Sequence, residues 1–314
     1  MPRSAWRACV KSRLQSPRAR GPAARCFFPP RPPVPLPSSK TSNPASAQPD
    51  LARRFGGMQR LYGLDGAARL AGAHVAIVGI GGVGSWAAET LARSGVGQLT
   101  LIDLDNVAES NINRQVHALS DTIGQPKVLA MQARIAQINP ACQVHGIEDF
   151  LSADNAHLLL GAADLDAAID ACDQIGAKAA VACHMRQRQL PFIVVGAAGG
   201  RVQAQQVEVD DLGRLTHDPL LARLRQQLRK RHGFAAAGQR MQVPCVFSRE
   251  PVRRADASCG LQQEGSLNCA GYGSSMAVTA TFGAVAAGWV MNALAQTEKN
   301  KNCTQQAKPS KNSC

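Results

Sequence analysis

The stretch "AIVGIGGVGSWAAE", Ala76 to Glu89, constrains the fold more than any other part of the chain. Before the glycines, "HVAIVGI" is apolar, β-branched and uncharged, the pattern of a strand buried on both faces. After them, "SWAAETLARSGVG" has helical spacing and stops at a glycine. Between the two, Gly79, Gly81, Gly82 and Gly84 allow a tight turn that aims the amide N–H groups of a helix start at an anion. The alternation then continues. "QLTLIDLD", "QVHGIEDF", "LDAAIDACD" and "PFIVVGAAG" read as strands. "PKVLAMQARIAQINP", "DNAHLLLGA" and "GAKAAVACHMRQRQL" read as the helices between them. "RVQAQQVEVDDL" alternates like an exposed antiparallel strand. This order predicts an α/β fold: a Rossmann-like, mostly parallel sheet with helices on both faces, extended by antiparallel strands and a C-terminal helix. From about residue 216 the pattern loosens, apart from a basic helix over 218–232 and a final apolar helix.

A glycine turn with Asp103 at the end of the next strand suits NAD and a nucleoside triphosphate equally. The following segment, "DLDNVAESNINRQVHALSDTIGQPKV", separates them, because it brings Asn111, Arg114, Gln115 and Lys127 after the loop. A pyrophosphate held by neutral backbone donors has little use for two cations. ATP cleavage needs them, because charge on the phosphates must be neutralised during displacement. Asp173, at the end of "AAIDACD", is a carboxylate on the same sheet edge and suits Mg2+ bridging phosphates.

Together "GIGGVGSWAAETLARSG", "LIDLDNVAESNINRQVHAL", "GQPKV", "INP" and "DACD" resemble the adenylating domain of the ThiF/MoeB and ubiquitin-activating enzyme superfamily. Within it, "RFGGMQRLYG", "GAAGG", "DPLLARLRQQLR", "VPCVFSREP" and "SSMAVTATFG" resemble the bacterial tRNA threonylcarbamoyladenosine dehydratases, over roughly 53–295. The resemblance implies that Gly79 to Gly84 cradle ATP and that Asp103, or the nearby Asp105, binds the ribose. It implies that Asn111, Arg114 and Lys127 touch the phosphates and that Asp173 lies near Mg2+. It further implies a homodimer in which Arg54 or Arg60 reaches the partner's nucleotide, and a sulfur-relay protein partner such as relatives have. The implied reaction is ATP-dependent cyclisation of threonylcarbamoyladenosine beside the tRNA anticodon, through an acyl-adenylate. The alternative is adenylation of the C-terminus of a ubiquitin-like sulfur carrier. The zinc-binding C-x-x-C pairs of the sulfur-carrier activators are absent from the sequence, which weighs against that role.

A tRNA enzyme needs a phosphate-binding surface. The helix "LLARLRQQLRKRHG" supplies Arg223, Arg225, Arg229, Lys230 and Arg231, with Arg253 and Arg254 beyond it and a leucine stripe to face inward. Cys245, in "VPCVFSREP", is read as a loop residue near Arg249, Arg253 and Arg254, open to a thioester role but better read as a packing cysteine.

The net charge of +13 comes from the ends. Residues 1–49 carry nine Lys or Arg and no acid, whereas 50–296 are nearly balanced, with 22 basic and 21 acidic residues. The pI therefore says little about what the folded part binds. The division expected is a disordered Pro- and Arg-rich extension over 1–50, an adenylating domain over 51–296 and a disordered tail over 297–314. The extension has no secretory apolar run, and its composition fits an organelle transit peptide or a stretch without function. Ten scattered cysteines without C-x-x-C spacing read as reduced thiols of a cytoplasmic protein. The segment 274–295 is long enough for membrane association, but its Ala, Gly and Thr content favours a helix buried on a sheet.

Overall fold

The computed structural model describes residues 49–161, 164–253 and 272–296. The extension up to residue 48 and the tail 297–314 lie outside the described residues, as does Arg254. The elements run α1 (Leu51–Gly72), β1 (His74–Val78), α2 (Gly84–Arg93), β2 (Gln98–Ile102), α3 (Lys127–Ile138), β3 (Gln143–Ile147), α4 (Ala156–Leu159), β4 (Ala167–Asp170), α5 (Ile175–Gln187), β5 (Phe192–Val195), β6 (Val207–Asp211), α6 (Pro219–Arg231), β7 (Pro244–Ser248) and α7 (Met276–Ala295). They build a seven-stranded sheet in the order β3-β2-β1-β4-β5-β7-β6. Every neighbouring pair is parallel except β6 and β7.

The two faces follow from side-chain alternation. Val75, Ile77, Leu99, Leu101, Ile169 and Ile193 point to the face covered by α2, α3 and α7. Ala76, Val78, Ile102, Ala168 and Val194 point to the face covered by α4, α5 and α6. All five residues of β1 are buried, as the uncharged sequence requires of a central strand. The outer strands differ. β3 has only exposed and half-buried positions, and β6 carries Glu208, Asp210 and Asp211, charges that discourage pairing with another chain.

Two readings of the sequence are corrected. "VPCVFSREP" is not a loop: it carries β7, inserted between β5 and β6. Its apolar run is short and flanked by Pro and charged residues, so no period is visible in it. The fourth strand stops at Asp170, which puts Cys172 and Asp173 in the turn that enters α5. The last helix behaves as a buried helix should. Although α7 is long and apolar enough to cross a membrane, it lays Val278, Phe282, Ala286 and Val290 into the core. Its Gly283 lets two helices touch by their backbones. A Cβ there would sit 2.5 Å from the Val83 carbonyl oxygen and 2.8 Å from the Ala87 nitrogen of α2.

Candidate nucleotide site

The strands β1 and β4 are neighbours, yet the helices that follow them, α2 and α5, cover opposite faces. A crevice therefore opens beyond their C-terminal ends, where α/β sheets bind ligands. The glycine turn lies there. Gly79 has φ +85°, and a Cβ on it would press within 2.9 Å of the Cys172 nitrogen. At Gly84 a Cβ would overlap the Gly79 carbonyl oxygen, so the turn closes upon itself. At Gly81 a Cβ meets no described atom within 4 Å, and at Gly82 it meets only side chains, of Arg114 and Thr279. The turn is thus shut on the protein side and open at Gly81. Val83 caps α2 without a side-chain hydrogen bond; the Ser85 amide donates to the Gly81 carbonyl at 3.1 Å, and the helix N-terminus behind the turn still favours an anion.

Asp103 ties this turn to the end of β2. Its Oδ2 accepts from the Ile80 amide at 2.6 Å and its Oδ1 from the Asp105 amide at 2.9 Å. Burial pushes its pKa up, and the pull of Lys127 and the two amides does not fully offset that. Lys127 is the first residue of α3 and is buried. Its Nζ pairs with Asp105 Oδ2 at 2.6 Å and lies 3.8 Å from Asp103 Oδ1. Asp105 is 56% exposed while the Lys127 side chain is 8% exposed, so the ammonium is held in a wall with its carboxylate partner toward solvent.

Arg114 is positioned by its main chain. Its carbonyl oxygen accepts from Trp86 Nε1 at 2.9 Å and from Thr279 Oγ1 at 3.4 Å, so α2 and α7 both fix it. Its Nη1 donates to the Ser110 carbonyl at 2.7 Å and to Asn113 Oδ1 at 3.0 Å, and its side chain passes beside Gly82. Asn111 has a structural task in this state: its Oδ1 accepts the Ala108 amide and closes the short turn that presents Arg114. Asp173 is half-buried. Burial raises its pKa, and the negative charges of Asp105 and Asp103 add to the rise. Three carboxylates thus sense one another across the crevice, an environment that a cation relieves. Among the described residues no group of three His, Cys, Asp or Glu could by itself hold a metal ion. A magnesium here fits only as the usual mixed case, one or two carboxylates plus the phosphates of a substrate.

Supporting residues less legible in sequence lie beside the crevice. Under the end of β4, the fully buried Lys178 pairs with Asp170 at 3.2 Å and donates to the Val195 carbonyl at 2.7 Å, joining β4 to β5. Burial lowers the Lys178 pKa, and Asp170, with Cys172 and Cys245 adding to its pull, more than restores it, so the ammonium stays charged. Arg201, after "GAAGG", is buried and pairs with Asp218, the N-cap of α6. It also donates to the carbonyls of Ala197, His217 and Glu250. A lone Lys in a helix or an Arg after a glycine pair has no signal of burial in the sequence.

Other expected site residues are placed as follows. Arg54 donates to the Ile138 carbonyl at 2.8 Å, at the C-terminal end of α3, whereas Arg60 is exposed on α1. On α6, Leu221, Leu224 and Leu228 are buried, as the leucine stripe requires. Arg225 and Arg229 are half-buried and spend donors on backbone carbonyls of Leu215 and Ala235, while Arg223, Lys230 and Arg231 are exposed. The thioester option for Cys245 is corrected: the residue is fully buried on β7 and burial holds its thiol well above the usual range. Arg249 and Arg253 do not activate it, being paired with Glu208 and Glu250.

A parallel sheet with a glycine turn at its switch point, an Arg and a Lys beyond that turn and a carboxylate just past the end of the next strand defines a nucleotide-binding α/β protein equipped to handle charged phosphates. The chain belongs to the ThiF family, whose model matches residues 56–313. It is 42% identical over 244 residues to the tRNA threonylcarbamoyladenosine dehydratase of Haemophilus influenzae, an alignment covering 77% of this chain and 93% of that protein. The crystal structure of the E. coli tRNA N6-threonylcarbamoyladenosine dehydratase in complex with ATP superposes with a TM-score of 0.71 at 38% identity, covering 83% of this chain and 100% of that one. The molybdopterin-synthase adenylyltransferase of E. coli is more distant: 35% identical over 139 residues, 44% of this chain and 55% of that protein.

Proposed function

We propose that this chain is an ATP-dependent dehydratase that closes threonylcarbamoyladenosine into a ring beside the tRNA anticodon. The substrate's free carboxylate attacks the α-phosphate of ATP, and pyrophosphate leaves. A nitrogen of the same modification then attacks the acyl carbon of the mixed anhydride. AMP leaves with the carboxylate oxygen, so the oxygen of the lost water ends in AMP. The protein positions the reactants and neutralises charge, and needs no nucleophile of its own. The observation that carries this reading is the convergence of Gly79–Gly84, Asp103, Lys127, Arg114 and Asp173 on one crevice.

In this reading the glycine turn and the α2 amides receive phosphates, Asp103 or Asp105 takes the ribose, and Arg114 and Lys127 face the phosphates. Lys127 exchanges Asp105 for ATP, since one ammonium serves both. Asn111 holds the Arg114 turn. Mg2+ beside Asp173 would supply further positive charge to the phosphates. The unit that acts is 51–296, a homodimer in the cytoplasm. Arg54 is already used at the end of α3, which leaves Arg60 the better candidate to reach a partner's nucleotide. A sulfur-relay protein is its expected protein partner. The short match to a sulfur-carrier activator and the absence of C-x-x-C pairs weigh against carrier adenylation.

The test is direct. Purified protein, ATP and magnesium are incubated with tRNA bearing threonylcarbamoyladenosine, and the nucleosides are weighed by mass spectrometry. The modified nucleoside should lose one water with one AMP formed per turnover. Unchanged tRNA, together with pyrophosphate exchange stimulated by a sulfur carrier, would refute it.

A further inference from the structure

The helix α6 carries most of the expected RNA-binding cations, and its direction decides what they can touch. Its N-cap, Asp218, accepts the Ala197 amide just beyond the C-terminal end of β5, so α6 starts at the crevice edge of the sheet. Its C-terminal end lies against the end of α5. Arg186 Nη2 donates to the His232 carbonyl at 3.4 Å, and its guanidinium rests 3.6 Å over the Phe234 ring. Since α5 runs from the C-terminal end of β4 back to the start of β5, both helices end at the edge opposite the crevice. Thirteen residues at 1.5 Å each put Lys230 and Arg231 about 20 Å from the crevice edge. They cannot reach a base undergoing chemistry there.

The two helices that end there are one-sided in charge. The sequence has no Asp or Glu over 174–207 or over 219–248, which include the whole of α5 and α6. Arg186, Arg223, Lys230 and Arg231 are exposed, and none has a carboxylate within 4 Å among the described residues. The acids at this edge lie on or just before the strands and not on these helices: Asp211 accepts from the amides of Gly213, Met241 and Val243, Asp210 from the Asp211 amide and Asp166 from the His74 amide, while Asp164 is exposed before β4. Helix dipoles favour one or two cations at each C-terminal end, but they do not require two acid-free segments side by side. Arg223 sits seven residues before Lys230, nearly in line along the helix, and marks a track from the far edge toward the crevice.

We infer that the joined C-terminal ends of α5 and α6, with Arg186, Lys230 and Arg231, grip the phosphate backbone of an RNA duplex stem while its loop lies at the crevice. The inference rests on the proposed tRNA reaction and adds Arg186 to the surface. It assigns these residues to holding the tRNA and not to chemistry. Such contacts act through counterion release, so they show in salt dependence.

The triple variant R186Q/K230Q/R231Q tests it, compared with the unaltered chain on whole modified tRNA and on a short single-stranded oligonucleotide carrying the same modified base. With whole tRNA the variant should raise KM by about tenfold or more, leave kcat within about twofold and flatten the log KM–log salt slope by about 2 to 3. With the short oligonucleotide its KM should match that of the unaltered chain. Unchanged ATP affinity and melting temperature show that the variant is folded; if they fall, R186K/K230R/R231K should restore them along with the tRNA KM. An unchanged KM and salt slope on whole tRNA would overturn the inference, as would an equal loss on both substrates or loss only of binding to an acidic protein. If the unaltered chain modifies neither substrate, the proposed reaction fails first.

Discussion

In the proposed reading, Arg114 and Lys127 are where the chemistry depends on single side chains. Arg114→Ala or Lys127→Ala should lower formation of the acyl-adenylate by about 100-fold or more, the usual scale for removing one donor from a developing charge. Pyrophosphate exchange measures this, and a rate near that of the unaltered chain in either variant would remove the phosphate assignment. His117, which lies between them in the same segment, carries a stability effect. It is 1% exposed, neither ring nitrogen has a hydrogen-bond partner among the described residues, and burial, with Lys127 and Arg134, lowers its pKa to about 4. Above pH 6.5 both folded and unfolded forms are neutral and the residue is silent. Below it the unfolded chain takes up the proton first, so stability is lost as pH falls toward 4. Two and a half pH units correspond to about 3 kcal/mol at most. Urea unfolding of His117→Phe should lose correspondingly less stability than the unaltered chain between pH 7 and 4.5; parallel losses would contradict the buried neutral imidazole. Legibility at this scale follows the motifs. Arg114, Lys127 and Asp173 stand in strings that name their partners. His117, Lys178 and Arg201 owe their importance to burial, which a single sequence does not display for a polar residue.

At the scale of elements, the strands and helices around the glycine turn were readable because β1, β2, β4 and β5 are apolar runs separated by helical periods. β7 was not, because a five-residue strand between a proline and charged residues has no period to detect. α7 was readable as a helix, but its partner was not: only the structure puts Gly283 against Val83 and so joins the last helix to the glycine turn. Gly283→Ala forces a methyl into that contact and should destabilise the fold by about 1–3 kcal/mol. Because Val83 caps α2, ATP affinity should fall as well. Chemical unfolding and equilibrium ATP binding check this, and a variant unchanged in both would show that the α2–α7 contact yields without disturbing the turn.

For the whole molecule, the sheet keeps two surfaces apart: a crevice at the strand C-terminal ends with acids and two cations, and behind it the basic, acid-free ends of α5 and α6. The first was legible from the order of motifs. The second was only partly so, because the sequence gives the charges of α6 but not the helix direction or its meeting with Arg186. A homodimer is part of the proposed reading, and sedimentation equilibrium should give twice the chain mass at micromolar concentration; a monomer that still modifies tRNA would show that no partner residue is needed. The central claim is that a carboxylate is converted to its adenylate, and the most direct measurement follows its oxygen. With the substrate carboxylate labelled with oxygen-18, turnover should place one labelled oxygen in AMP and none in pyrophosphate. AMP free of label, or label appearing in inorganic phosphate, would contradict the account.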